Sequence, residues 1–191
     1  MSSSLFAPPR FSDLAAAAAG EKPLTWRQRR ARFRQIWGLA RRHGLLPFRK
    51  LDFSYDPATA EVRARQAQGL REALEEAGGG FIKAGQLLST RDDVLPSEWV
   101  RELSRLQKEV NPAPPAQIEE LLERELGERR GRFATFDVEP LAAASIAQVH
   151  RATLDDGTVV AVKVQRPGIR ALLDCDIDIM LRLAGWATRR I

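Results

Sequence analysis

Apolar positions in this chain change their rhythm once, near Phe133. Before that point they recur every three or four residues, the spacing of one helix face. From Thr25 onward, Trp26, Phe33, Ile36, Trp37 and Ala40 fall on one such face, and Gly44 with Pro47 ends the run. A second helix is predicted over 58–77, burying Ala67, Leu70, Leu74 and Ala77, and Gly78-Gly79-Gly80 stops it. A third runs from Phe81 to the neighbourhood of Thr90. A fourth starts at Leu95-Pro96-Ser97 and turns Trp99, Val100, Leu103, Leu106 and Val110 inward. Asn111-Pro112-Ala113-Pro114-Pro115 breaks it, and a fifth buries Ile118, Leu121, Leu122 and Leu126 before Gly127. Residues 1–24 mix Ser, Pro and Ala without a period and are expected to form a loose arm.

Beyond Phe133 the grammar is that of strands. Ile146 to Leu154 reads as one strand, Asp155-Asp156-Gly157 as a hairpin turn, and Thr158 to Gln165 as the return strand. Valines on both faces of the return strand predict a central position. Arg166-Pro167-Gly168 ends it. A last helical segment puts Leu173, Ile177, Met180, Leu181 and Ala184 on one face and carries no stop signal before Ile191, so the domain is expected to continue. Asp174, Asp176 and Asp178 read as helix-start acids that suit the dipole, not as metal ligands. The fold class is α+β: a helical extension over 25–130, then a strand-bearing lobe over 131–191.

Composition removes some classes and sharpens one. With 44% hydrophobic and 29% charged residues among 191, the chain is neither collagen-like nor a disulfide scaffold nor wholly disordered. The net charge of +5 is unevenly spread: Lys22 to Lys50 holds ten Lys and Arg and no acid, so the remainder nets −5. A basic amphipathic helix bearing Trp26 and Trp37 points to contact with an anionic membrane surface, or else to docking on its own domain. No apolar run approaches the ~18 residues of a span, and no secretory signal opens the chain. The single Cys175 lies between two aspartates and reads as an inert thiol in a reducing compartment. The expected location is cytoplasmic, with peripheral attachment at a membrane.

The candidate chemistry sits on the strand pair. Val160-Ala161-Val162-Lys163 sets a lysine inside an apolar strand, where its ammonium asks for an anionic partner. The spacing is similar to that of the nucleotide lobe of protein kinases, in which a glycine-rich loop covers the phosphates and a strand lysine holds them. On that pattern the three loop glycines fall on Ala142, Ala144 and Ala147, the base-packing valine on Val149, the adenine-contacting alanine on Ala161 and the phosphate lysine on Lys163. Each alanine methyl bars left-handed backbone and limits the approach of N–H groups to phosphate. That argues for unusual nucleotide chemistry.

Lys83-Ala84-Gly85-Gln86 adds a lysine and a glutamine at i, i+3 on one helix face, with a glycine between them that admits a close neighbour. Three stretches together, "FIKAGQLLSTRDDVLP", "PLAAASIAQVH" over Pro140–His150 and "VAVKVQRPGI" over Val160–Ile169, resemble the UbiB-type atypical kinases in order and spacing. Many members of that family have glycine where Ala147 stands. The resemblance implies a helical extension leading into the beginning of a protein-kinase-like N-lobe, with the C-lobe absent from these residues. It implies a nucleotide-binding set of Leu141, Ala142, Ala143, Ala144, Ser145, Ile146, Ala147, Gln148, Val149, Ala161 and Lys163, with Lys163 the catalytic lysine. It implies that the motif of Lys83, Gly85 and Gln86 restrains the site. ATP or ADP is the implied ligand, and Mg²⁺ is expected only with the C-terminal lobe, since no catalytic-loop base or metal-binding Asp motif lies between Ile169 and Ile191. By the same implication the protein serves ubiquinone or other isoprenoid quinone biosynthesis, with quinone-biosynthesis proteins or lipids as partners, and this length alone is inactive in phosphoryl transfer. The other reading is a non-catalytic nucleotide- or lipid-binding regulatory module. Nucleic acid is the least favoured partner, for want of basic-aromatic strands, a zinc pattern or a helix-turn-helix.

Overall fold

The computed structural model describes residues 23–106 and 111–188. The expected arm up to Leu24, the inward turn of Val110 and the run to Ile191 lie wholly or mostly outside the described residues. Among the described residues the chain forms six α-helices and one four-stranded sheet: α1 (Trp26–Arg42), α2 (Ala60–Ala77), α3 (Gly79–Leu88), α4 (Ser97–Leu103), α5 (Pro115–Leu126), β1 (Phe133–Phe136), β2 (Ala142–Ala143), β3 (Ala147–Leu154), β4 (Val159–Gln165) and α6 (Ile169–Thr188).

Thr25 starts α1 through a capping box. Its hydroxyl accepts from the Gln28 N–H at 3.4 Å, and its own N–H donates to Gln28 Oε1 at 2.8 Å. The helix docks on the rest of the molecule by a face turned away from part of the predicted one, keeping Ile36 and Ala40 but not the aromatic residues. Arg32, Gln35, Ile36, Leu39 and Ala40 are buried, while Trp26, Phe33 and Trp37 remain 62%, 39% and 43% exposed. α6 departs in the same way. Its buried line is Leu172, Cys175, Asp176 and Ile179, and Ile177 and Leu181 are 49% and 68% exposed. The helix begins at Ile169, so Asp174, Asp176 and Asp178 lie past its first turn and do not serve the dipole there.

One ion pair accounts for both departures. Arg32 reaches across to Asp176 with two bonds, Nε to Oδ1 at 2.8 Å and Nη2 to Oδ2 at 3.0 Å, and both side chains are fully buried. The guanidinium also donates to Gln35 Oε1 and to the Ala77 carbonyl, and it lies over the Phe81 ring. Asp176 Oδ2 further accepts from the Gly80 N–H at 3.3 Å. One charged hub thereby joins α1, the end of α2, the start of α3 and α6. Burial pushes the Asp176 carboxyl up from its ordinary value, against the opposing pull of Arg32 and Gly80. Around the hub packs a single apolar cluster that includes Leu39, Leu74, Phe81, Leu103 and Leu172.

α2 meets expectation at Ala67, Leu74 and Ala77, which are buried. Gly78, at φ 70, breaks the chain, yet Gly79 and Gly80 already belong to α3. A Cβ at Gly80 would stand 3.1 Å from Leu173 Cδ2 and 3.2 Å from Asp176 Cβ, so the small residue lets α6 close on α3. α4 ends at Leu103, earlier than the apolar spacing suggests, with Trp99 buried and its Nε1 donating to the Asp52 carbonyl at 2.9 Å.

In the sheet, β3 is the centre. β4 pairs with it antiparallel from Ala147↔Gln165 to Thr153↔Val159, while β1 and β2 pair with its two ends, Phe136↔Ala152 and Ala142↔Val149. Because β4 fills one edge of β3, β1 and β2 share the other. β4 has a strand partner on one side only among the described residues. It is also one-faced, contrary to the expected central strand: Val160, Val162 and Val164 turn inward, and Ala161, Lys163 and Gln165 are exposed. α5 covers the inner face, where Ile118 and Leu122 pack with Val162, Val164 and Phe136.

Candidate functional site

The register brings the three sequence-predicted residues Ala142, Val149 and Lys163 into one cross-strand row. Ala142 faces Val149 across β2–β3, and Val149 faces Lys163 across β3–β4. Directly opposed residues share a sheet face, so this row lies on the outer one, and Ala161, two positions from Lys163, lies beside it opposite Arg151. Lys163 is exposed rather than buried in an apolar strand. Its ammonium needs no internal counter-charge, and no ion pair to it occurs among the described residues. Two of the three acids of α6 are engaged elsewhere: Asp176 with Arg32, and Asp178 with Arg182 at 3.0 Å.

The alanine-rich stretch forms a tight turn. The Ala144 N–H donates to the Ala147 carbonyl at 2.8 Å, which closes the chain at Ser145-Ile146, and the Leu141 N–H donates to Val149 O at 2.7 Å. Ser145 and Ala147 are buried, whereas Leu141, Ala142 and Ala144 are exposed along its rim.

Ala143 and Gln148 form the neighbouring cross-strand pair and turn to the inner face. Gln148 is fully buried and committed: Oε1 accepts from the Ala113 N–H at 2.8 Å, and Nε2 lies 2.8 Å from His150 Nε2. His150 Nδ1 lies 2.8 Å from the Asp137 carbonyl, which can only accept, so Nδ1 carries the proton and Nε2 accepts from Gln148. Phe136 stacks on the imidazole at 4.9 Å between centroids. The pattern of the strand reveals His150 as an inward position beside Gln148, two residues away on β3, but the Asp137 carbonyl comes from a separate segment and no local spacing signals it.

The Lys83 motif lies elsewhere, on α3 in the helical region. Lys83 is exposed, Gln86 is half-buried and Gly85 is buried. A Cβ at Gly85 would fall 2.4 Å from Leu106 Cδ1 and 2.7 Å from Leu74 Cδ1, so the glycine is required for close packing. The described residues do not bring Lys83 or Gln86 into contact with the Lys163 row. Cys175 is buried, and burial, then the Asp176 charge, pushes its thiol pKa up, in keeping with an inert thiol. Among the described residues no group of three His, Cys, Asp or Glu side chains is placed to hold a cation.

A row with an exposed lysine, a small alanine and a valine, beside a glycine-free turn, agrees with the three sequence stretches that share an order with the atypical kinases. A family model described as the ABC1 atypical kinase-like domain matches residues 105–191. A probable protein kinase UbiB of Cellvibrio japonicus is 45% identical over 127 residues, covering 66% of this chain and 23% of that protein. A probable protein kinase UbiB of Pseudomonas putida is 45% identical over 154 residues, covering 80% of this chain and 28% of the relative. These matches support a UbiB-type atypical kinase family for the matched part of the chain. It spans about a quarter of the length of these UbiB relatives. Among solved structures, the complex of Rv3197 with erythromycin from Mycobacterium tuberculosis is similar at 36% identity and a TM-score of 0.38, over 69% of this chain and 34% of that one. The four-stranded antiparallel sheet lies within the residues matched by the atypical kinase-like domain and is consistent with a kinase-like N-lobe, and no described helix is long and apolar enough to cross a membrane.

Proposed function

We propose that this UbiB-type chain supplies the nucleotide-binding lobe and the regulatory helices of an atypical kinase or ATPase that takes ATP or ADP. The observation that carries the reading is the Ala142–Val149–Lys163 row with Ala161 beside it. Lys163 engages the phosphates by charge, and Val149 and Ala161 offer an apolar, shallow surface to a base. Lys83 and Gln86 restrain the site. Mg²⁺ and the residues that move the phosphoryl group belong to the remainder of the protein, so this length alone does not turn over ATP. The family resemblance extends the role to ubiquinone or other isoprenoid quinone and lipid biosynthesis. Titration of the intact protein with ATP and ADP tests the site: Lys163→Ala weakens binding about tenfold or more, as loss of a charge-assisted contact should. Unchanged affinity overturns the role of Lys163.

The second reading, a regulatory module that binds nucleotide or lipid without catalysis, draws on the absence of an acid beside Lys163 among the described residues. Phosphate release by the intact protein, sensitive to Lys163→Ala, decides against it. A membrane partner is supported by α1, whose exposed Trp26, Phe33 and Trp37 are interleaved with Arg27, Arg30, Arg34 and Arg41. Arg27 and Arg30 lie over the Trp26 ring at 5.5 and 5.8 Å. Sedimentation with liposomes shows preference for anionic lipid if this is correct, and equal recovery with neutral vesicles overturns it.

A further inference from the structure

Arg166 stands three residues beyond Lys163, just past the end of β4, and all three of the bonds it donates go to backbone carbonyls. Its N–H donates to the Ile146 carbonyl at 3.0 Å. Its guanidinium continues the same way: Nε donates to the Ala144 carbonyl at 2.9 Å, and Nη2 donates to the Asn111 carbonyl. One residue therefore grips both sides of the Ser145-Ile146 turn and the segment that leads into α5. Both guanidinium partners are uncharged. Burial pulls the Arg166 pKa below arginine's ordinary value, yet a guanidinium stays charged in a protein, so each bond is charge-assisted.

The segment held by Arg166 is fastened a second time. Ala113, two residues on from Asn111, donates to Gln148 Oε1 on β3. The approach to α5 is thus pinned to the sheet from the end of β4 and from the start of β3. The alanine turn shares its arginine with that segment, and through it with the chain arriving from the helical region. A glycine-rich loop can settle on a phosphate through its own backbone freedom. Alanines lack that freedom, so the position of this turn must be set from outside.

We propose that Arg166 is a positioning residue of the candidate nucleotide site: it fixes the alanine turn relative to the Lys163 row and makes the turn move together with the Asn111–Ala113 segment. The ligand in this statement rests on the nucleotide reading above, whereas the tether rests on hydrogen bonds alone. Lysine is a poor substitute, because a single ammonium cannot span two carbonyls as the planar fork does.

The test compares the intact wild-type protein with Arg166→Lys, Arg166→Gln and Lys163→Ala by two measurements. Amide hydrogen exchange without nucleotide follows Ala144, whose N–H closes the turn, with amides of α2 as an internal control. Titration with ATP and with ADP gives affinity. Both Arg166 variants should speed Ala144 exchange about tenfold or more while α2 exchange stays at the wild-type rate, and should weaken nucleotide binding by a similar factor. Lys163→Ala should weaken binding and leave Ala144 exchange unchanged. Wild-type exchange at Ala144 in both Arg166 variants overturns the tether. Faster exchange with wild-type affinity overturns the positioning role while the nucleotide reading stands. If the wild type binds neither nucleotide, the nucleotide reading fails and the positioning role with it, while exchange still decides the tether. Arg166→Lys keeps the charge and most of the stem, so it remains informative should Arg166→Gln fail to fold.

Discussion

The helical region and the strand lobe each have a polar centre, and the two are built of different material. In the helical region it is a guanidinium and a carboxylate, Arg32 and Asp176, shut away from water and joined by two bonds. In the strand lobe it is an amide, an imidazole and two backbone groups, running from the Ala113 N–H through Gln148 and His150 to the Asp137 carbonyl. Among the described residues neither leaves a buried side-chain polar atom unpaired. A buried ion pair costs much to desolvate and is punishing to break from one side, whereas an uncharged relay costs less to bury and less to cut. The charged centre therefore sets the arrangement of four helices, α1, α2, α3 and α6, with a large penalty for any alternative. The relay sets only the path of one segment across the inner face of the sheet.

Breaking the charged centre from one side should give the largest effect. Asp176→Ala leaves Arg32 buried without its counter-ion, and a loss of about 3–5 kcal/mol is expected in chemical denaturation. Arg32→Met combined with Asp176→Leu should recover most of that loss. If the double variant is no better than the single one, the penalty does not come from the stranded charge. Cutting the relay should cost less: Gln148→Leu orphans the Ala113 N–H and the His150 acceptor, for about 1–3 kcal/mol in the same measurement. A loss equal to that of Asp176→Ala would erase the distinction between the two centres.

Shape can be probed where charge is absent. Gly85→Ala drives a methyl into Leu106 and Leu74, an overpacking cost of about 1–3 kcal/mol that alanine's better helix propensity offsets by about 1 kcal/mol. The net loss should be about 1 kcal/mol, read as a lowered melting temperature. Acid gives the smallest signal. Hydrogen bonds from Thr59 and then Ser54 hold the Asp52 carboxyl at about 2, below its ordinary 3.8. The folded state thus favours the ionised form. Its contribution is complete above the ordinary value, begins to fade as pH falls below it and is lost as pH passes through the folded value of about 2. A melting series over that interval should flatten in Asp52→Asn, and an unchanged slope would assign the acid sensitivity to other groups.

The same ion pair explains what could be read from the chain and what could not. α2 and α5 bury the apolar residues their spacing marks, because nothing polar stands at the centre of their contacts except Arg63, at the far end of α2. In α1 and α6 a charged residue occupies the middle of the buried face, and hydropathy assigns such a residue to water. The predicted stripes therefore swung away from Arg32 on one helix and from Asp176 on the other, landing on Trp26, Phe33 and Trp37 and on Ile177 and Leu181. With the partners 144 positions apart, no local window contains both. On the sheet, Asp155-Asp156-Gly157 marked the hairpin that sets Val149 opposite Lys163, but nothing in the pattern marked Ala142-Ala143 as a strand beside Val149. The exposure of Lys163 did not follow, because a run of valines looks alike in a central strand and in one covered on a single side.

Among the described residues β4 pairs on one side only, and this has a consequence for these residues as a material. A valine-rich strand with an unpaired edge is a template for another strand, and such segments stack readily into aggregates. The only charge within β4 is the ammonium of Lys163. It sits mid-strand, where like-charge repulsion between stacked copies would be felt most. Neutralising Lys163 should therefore lower colloidal stability as well as any affinity for phosphate, and light scattering of Lys163→Ala against Lys163→Arg would separate the two losses.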